Sequence, residues 1–246
     1  MFRFPRSAEA PQVLELEKRF LAEFASLSPL PVPVYEIQGE GFVGYRKIEG
    51  LLLSPQRYSA LPAERQKRLA EQIGAFLSAL HTFPIQRARQ MGMTEGWDGW
   101  REKALQTFKA HIAPRLSHRA LKGSMACFEA LRSQSYPPVV VHGDFYPDEH
   151  LFLHPERQEL CGIIDFGDLT IEDAACDLKN IRIELGESAL RAVLDRYTAP
   201  TDDRLLERIN LHVQADALYD AADAVLLGYP GRLTQAIRTI ERNFAG

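Results

Sequence analysis

What most limits the folds open to this chain is the stretch from residue 139 to 168, VVVHGDFYPDEHLFLHPERQELCGIIDFGD. Three short apolar runs, 138–141, 151–153 and 160–164, alternate there with polar and charged segments, the pattern of strands bounded by loops. Asp144, His150 and Asp165 fall at or just past the ends of these runs. At such positions a side chain leaves the core while its backbone stays rigidly held, as a reactive site requires.

Phosphoryl transfer from a nucleotide asks for little covalent help from a protein. It needs a carboxylate that orients the attacking hydroxyl and takes its proton, and ligands for Mg²⁺. Asp144 suits the first role and Asp165 the second, because a hard cation prefers carboxylate oxygen; His150 is a possible neutral partner. The same residues admit a rival in which His142, Asp144, His150 and Asp165 all bind metal in a hydrolase, but no further His and Asp cluster completes a two-metal site. One such residue alone more often caps a loop or satisfies a core; the ordered set carries the reading.

HGDFYPDEH followed by CGIIDFGD resembles the catalytic loop and metal loop of the aminoglycoside and macrolide phosphotransferase family, relatives of protein kinases. The resemblance implies Asp144 as catalytic base, His150 as first metal ligand and Asp165 as the bridge from Mg²⁺ to the phosphates of ATP or GTP. In the family the first ligand usually lies five residues after the catalytic Asp. That place is Glu149 here, with His150 one further on. The spacing from His150 to Asp165 matches the family and favours His150, with Glu149 its competitor. The branch that uses His includes aminoglycoside 2''-kinases and macrolide kinases.

Near the start, FRFP alternates as a short strand does, and Ser7 is placed to cap a helix. In that helix Val13, Phe20, Leu21 and Phe24 share a face with Glu17 in its middle. An ionised group buried unpaired is expensive, so a basic residue on the preceding strand is expected as its partner, and Arg3 is well placed. The pair resembles the strand Lys and helix Glu that steady nucleotide phosphates in kinases, with Arg, a planar fork, in place of Lys, a point charge. Relatives carry two strands and a glycine-containing loop ahead of this strand, so a shortened N-terminal lobe is expected.

Residues 34–38 and 42–48 read as strands around a turn at 39–41. The segment 45–48 resembles the family's hinge, which implies that the backbone of Arg46, Lys47 and Ile48 meets the purine. Leu69, Ile73, Phe76, Leu77 and Leu80 mark an amphipathic helix ending at His81. A loop at 92–99 with Trp97 leads past Trp100 into helical stretches from about 101 to 133. Asp173 is placed to cap a helix over 174–183, with Asp177 in its first turn; these two and His81 read as structural. Helices over 202–218 and 232–244 close the chain, separated by GYPG. Asp168, Glu172, Glu149 and Asp148 make the mouth of the site acidic, and the first three are expected to bind a cationic substrate.

With 29 Lys and Arg against 33 Asp and Glu, net charge −4, nucleic acid and anionic membrane are poor partners. Three cysteines without paired metal spacing read as free thiols. No signal-peptide core or run of ~18 apolar residues is present, so a cytoplasmic location is expected. The expected fold is α+β and protein-kinase-like, with a truncated β lobe over residues 1–50 and a mostly helical lobe over 51–246. The expected activity is that of a small-molecule kinase using Mg²⁺ and ATP or GTP on a hydroxyl of an aminoglycoside-like acceptor. The alternative is a kinase-like binding protein without turnover.

Overall fold

A computed structural model describes residues 1–4, 10–39 and 41–245; the expected cap at Ser7 lies outside them. In chain order the elements are β1 (Phe2–Arg3), α1 (Ala10–Phe24), β2 (Tyr35–Gly39), β3 (Phe42–Tyr45), β4 (Leu51–Leu52), α2 (Pro55–Ala60), α3 (Ala63–His81) and α4 (Ile85–Gln90). Then come α5 (Asp98–Thr107), α6 (His118–Arg132), β5 (Pro138–Val141), α7 (Pro147–His150), β6 (Leu151–Leu153), β7 (Leu160–Ile163) and β8 (Thr170–Asp173). The helices α8 (Ala175–Leu185), α9 (Glu187–Leu194), α10 (Leu205–Leu226) and α11 (Pro230–Ala245) follow. Two compact units result, one from Met1–Glu95 with Pro137–Asp202, the other from Gly96–Tyr136 with Asp203–Gly246.

The first unit holds every candidate site residue. Its strands form three antiparallel sheets, β1-β3-β2, β4-β6-β7 and the pair β5-β8. Phe20, Leu21 and Phe24 of α1 are fully buried, as their spacing predicts, and Phe20 and Phe24 pack with Phe76, Phe83 and Phe166. Val13 departs from that face: it is 42% exposed, its Cγ1 lying over Gly167 rather than in the core. Gly74 lets α3 approach the backbone of α9, where a Cβ would stand 2.5 Å from the Val193 carbonyl oxygen.

Strand β8 ends where a helix cap was expected. All four of its residues are buried, because pairing with β5 in the register Pro138↔Asp173 to Val141↔Thr170 covers them. Asp173 is therefore the end of a strand, yet its Oδ1 still accepts the Ala175 N–H at 3.1 Å and helps start α8. Strand β3 stops at Tyr45, earlier than expected, and residues 46–49 carry no regular structure.

In the second unit the helical region expected over 101–133 is interrupted by a π turn at Phe108–Ile112 and a 3-10 turn at Ala113–Arg115. Pro114 has no N–H for a continuing helix, and Ser117 restarts one by accepting the Ala120 N–H. Phe108, Phe128, Leu218 and Ile240 are among the core residues of this unit. Burial of Ala221, Ala222 and Ala224 carries α10 beyond its expected end at residue 218. Among the described residues no helix is long and apolar enough to cross a membrane, and all three cysteines are free.

Candidate active site

The loop that carries Asp144 is fastened from beneath. Asp177, in the first turn of α8 and fully buried, accepts the His142 N–H at 2.8 Å on Oδ2 and the Gly143 N–H at 2.9 Å on Oδ1. Gly143 takes φ +91°, a conformation that favours glycine. His81 Nε2 lies 3.1 Å from Asp177 Oδ2, and Tyr197 Oη lies 2.7 Å from His81 Nδ1. Burial alone would push the Asp177 carboxyl up; hydrogen bonding to His81 and the neighbouring imidazoles outweigh it and hold the group below its ordinary value. Sequence reading gave Asp177 and His81 structural roles but not this one. The signal was a lone carboxylate among apolar neighbours in AACDL.

His142 is fully buried, its Nε2 donating to the Ile164 carbonyl at 3.1 Å and its Nδ1 accepting the Asp144 N–H at 3.4 Å. Burial drives its pKa down to about 4, so the ring is neutral with the proton on Nε2. Both nitrogens are occupied in holding backbone, which removes His142 as a metal ligand and with it the four-ligand hydrolase arrangement.

Asp144, Glu149 and His150 each offer a ligand atom within 4.8 Å of the others. Asp144 Oδ2 is 3.7 Å from His150 Nε2. Burial raises the Asp144 pKa to about 6; His150 opposes the rise, while Asp168, Glu149 and Asp165 add to it. The structure thus brings both candidates for the first metal position, Glu149 and His150, to one point, Glu149 exposed and His150 buried. Helix α7, which carries them, is pinned by the Asp148 N–H donating to Glu184 Oε2 at 3.0 Å. Burial and the hydrogen bond with the Asp148 carboxyl push Glu184 up to about 8.

Asp165 is not among the three converging residues. It adopts φ +66°, uncommon for a residue with a side chain, and its Oδ1 meets Arg3 Nη2 at 2.9 Å. Arg3 Nη1 meets Glu17 Oε1 at 2.6 Å, and Glu17 is 1% exposed. Burial pulls the guanidinium down, but Glu17 and Asp165 together hold it above its ordinary value. One cation from β1 therefore joins α1 to the loop after β7.

One of the expected substrate-binding residues is placed differently from the others. Glu172 does not stand at an open mouth: it is 1% exposed on β8, and its Oε1 accepts the Asp173 N–H at 3.0 Å. Asp168 and Glu149 remain exposed. Arg46 and Lys47 are exposed in coil, Lys47 pairing with Glu49 at 3.2 Å, and Ile48 packs on Gly162 of β7. Tyr35, absent from the sequence reading, stands beside Arg3 and Glu17.

The donor set fits a hard divalent cation. Asp144, Glu149, Asp165 and Asp168 crowd negative charge, opposed by His150 and Arg3, and His150 Nδ1 is buried without a hydrogen-bond partner among the described residues.

A family model described as APH, phosphotransferase enzyme family, matches residues 1–225. The GDP and kanamycin complex of APH(2")-IIIa superimposes with a TM-score of 0.86 at 27% identity, covering 99% of this chain and 86% of that one. A GDP complex of aminoglycoside 2'-phosphotransferase-IIIa gives 0.85 at 24% identity, covering 99% and 85%. A macrolide 2'-phosphotransferase type I gives 0.76 at 24%, covering 97% and 82%. These agreements bear out the expected kinase-like α+β fold. With a match that runs from its first residue into the last turn of α10, the chain belongs to the phosphotransferase enzyme family.

Proposed function

We propose that this protein transfers the γ-phosphate of GTP or ATP to a hydroxyl of an aminoglycoside-like antibiotic. The observation that carries this reading is the meeting of Asp144, Glu149 and His150 at one point, with Asp165 near enough to raise Asp144 further. Kinship supports it too: a relative 27% identical binds GDP and kanamycin.

In this reading the Asp144 carboxylate accepts the proton of the acceptor hydroxyl as its oxygen attacks the γ-phosphorus. The bond from that phosphorus to the β-γ bridging oxygen breaks, and the nucleoside diphosphate leaves with the electron pair. A pKa of about 6 leaves Asp144 ionised at neutral pH and still basic enough to take the proton. Asp165 and His150 or Glu149 would hold Mg²⁺, which would supply charge neutralisation at the phosphates. Arg3, held by Glu17, steadies the phosphate oxygens, and the backbone of 46–48 faces the purine. Asp168 and Glu149 draw the ammonium groups of the acceptor toward the site.

The test is incubation with Mg²⁺ and GTP or ATP against kanamycin, gentamicin, streptomycin and a set of macrolides, read by mass spectrometry. A phosphorylated aminoglycoside, lost in Asp144→Asn, is the expected result. Nucleotide binding without transfer to any acceptor would instead favour a binding protein, and transfer to macrolides alone would replace the acceptor class.

A further inference from the structure

Glu17 Oε2 and Tyr35 Oη, both in the first unit, are buried without a well-formed hydrogen bond among the described residues, and they belong to neighbouring side chains. An unpaired buried hydroxyl or carboxylate oxygen is costly, so two that lie side by side demand an explanation. Each acts electrostatically on the other, and Arg3 acts on both. The Tyr35 hydroxyl lies near enough to both Glu17 and Arg3 for loose side-chain hydrogen bonds, none with good geometry at Oη or at Glu17 Oε2.

The backbone explains how Tyr35 comes to be there. It opens β2 opposite Tyr45 of β3, and the register slips between Tyr35 and Ile37. Such an irregularity re-aims a side chain relative to its strand. While residues 36–39 are exposed, the Tyr35 ring turns in against the ring of Tyr45, edge to face at 5.7 Å, and its hydroxyl is enclosed beside the Arg3–Glu17 pair.

We propose that Tyr35 is a positioning residue for the nucleotide phosphates: its phenol donates to Glu17 Oε2, fixing the carboxylate plane so that Oε1 holds Arg3 in the aim the phosphates need. The proposal rests on the reading that Arg3 and Glu17 steady those phosphates. Tyr35 is placed to act through the Arg3–Glu17 pair, chiefly through Glu17, and not by touching nucleotide or acceptor. Arg3 holds Glu17 at Oε1 and the Phe166 backbone also reaches the carboxylate, but with no well-formed bond at Oε2 the carboxylate keeps part of its freedom about its last torsion. A second donor on the other oxygen removes that freedom. Tyrosine suits the place because its long rigid ring spans from the sheet to α1 with little rotamer freedom to lose.

Equilibrium binding of Mg²⁺ with GTP, and of Mg²⁺ with ATP, tests this on the full chain without any acceptor. Tyr35→Phe keeps the ring contact with Tyr45 and should weaken binding about three- to ten-fold, the effect of one modest hydrogen bond. Glu17→Gln should weaken it as well, and Tyr35→Phe added to Glu17→Gln should cost nothing further. A merely structural phenol gives another pattern. If the hydroxyl is idle, its removal relieves an unpaired buried group, so Tyr35→Phe melts at higher temperature and binds nucleotide as the parent does, which overturns the proposal. Additive losses in the double variant overturn it too, since Tyr35 would then act independently of Glu17. Parent-like binding by Glu17→Gln would bring down the reading of the Arg3–Glu17 pair itself, and this proposal with it; a weakened Glu17→Gln beside a silent Tyr35→Phe sinks this proposal alone. Should Tyr35→Phe fold poorly, a ring-fluorinated tyrosine at position 35 of the parent decides: its fluorine resonance should move with Glu17→Gln and with nucleotide, and an unmoved signal rejects the contact.

Discussion

Arg3 and Asp165, 162 residues apart in the chain, are joined by a 2.9 Å contact from Nη2 to Oδ1, and the other tip of the same guanidinium holds Glu17. A planar fork meets two carboxylates from different elements in one rigid geometry, which a lysine nitrogen does less selectively. Arg3→Ala should lower kcat/KM for the nucleotide by about 10²-fold, the effect of losing charged hydrogen bonds of roughly 1.5–3 kcal/mol each. It should also lower stability by about 2 kcal/mol, because Glu17 is left buried without its cation. Arg3→Lys should keep the charge and lose about tenfold. Steady-state kinetics with a melting curve check both; an Arg3→Ala enzyme with parent kinetics would separate the pair from catalysis.

Asp144 carries two linked expectations. As a base it must be ionised, so kcat/KM should fall about tenfold per unit as pH drops below its midpoint near 6. Asp144→Asn should lose about 10²- to 10⁴-fold in rate. The stability effect has the opposite sense. A carboxyl raised in the folded state contributes stability below its unfolded pKa of 3.8, and that contribution is lost as pH rises through about 6. At pH 7.5 Asp144→Asn should therefore be the more stable protein. The gain should be about 1 kcal/mol, since the side chain is 41% exposed and solvent screens part of the cost.

His142 works in the reverse direction over nearly the same range. A base lowered from 6.5 to about 4 in the folded state contributes stability above pH 6.5, and this is lost as pH falls toward 4. With about 1.4 kcal/mol per pKa unit, the loss over the window should be on the order of 3 kcal/mol. Because Asp144 gains over part of the same window, the clean measurement is the difference between the parent and His142→Gln in denaturant unfolding at several pH values. A flat difference curve from pH 7 to 4 would show that the ring is not held neutral.

What was legible in the sequence follows from the range of each interaction. The Arg3–Glu17 pair was readable because a charge within an apolar helical face creates a local demand, and the nearest cation answers it. The strands of the 139–168 stretch were readable from their own apolar runs. Strand β8 was not, since TIED gains its burial by pairing with residues 138–141, about 30 positions earlier, and by meeting residues 94–95. For the same reason Glu172 read as a surface acid. Asp177 is marked locally only as a lone carboxylate in AACDL, which does not say that its two oxygens hold the backbone of residues 142 and 143, and the turn of Tyr35 toward Glu17 depends on a register slip that no residue type in YEIQG announces.

The competition between Glu149 and His150 ends in a prediction that burial decides. Both reach the point that Asp144 reaches, but Glu149 is exposed, and an exposed carboxylate keeps its water and its freedom at little cost. His150 is 5% exposed with Nδ1 lacking a partner, a state that costs free energy unless something beyond the described residues completes it. A ligand already ordered and already dry loses less on meeting a cation than one that must be immobilised. His150→Ala should accordingly raise the Mg²⁺ concentration for half-maximal activity by roughly tenfold or more, and Glu149→Gln by less than about threefold, the two changing affinity by about 1.4 and 0.7 kcal/mol. Titrating Mg²⁺ at saturating nucleotide measures both. The reverse order would make Glu149, at the family's usual spacing, the ligand, and would leave His150 to hold Asp144 in place across their 3.7 Å separation.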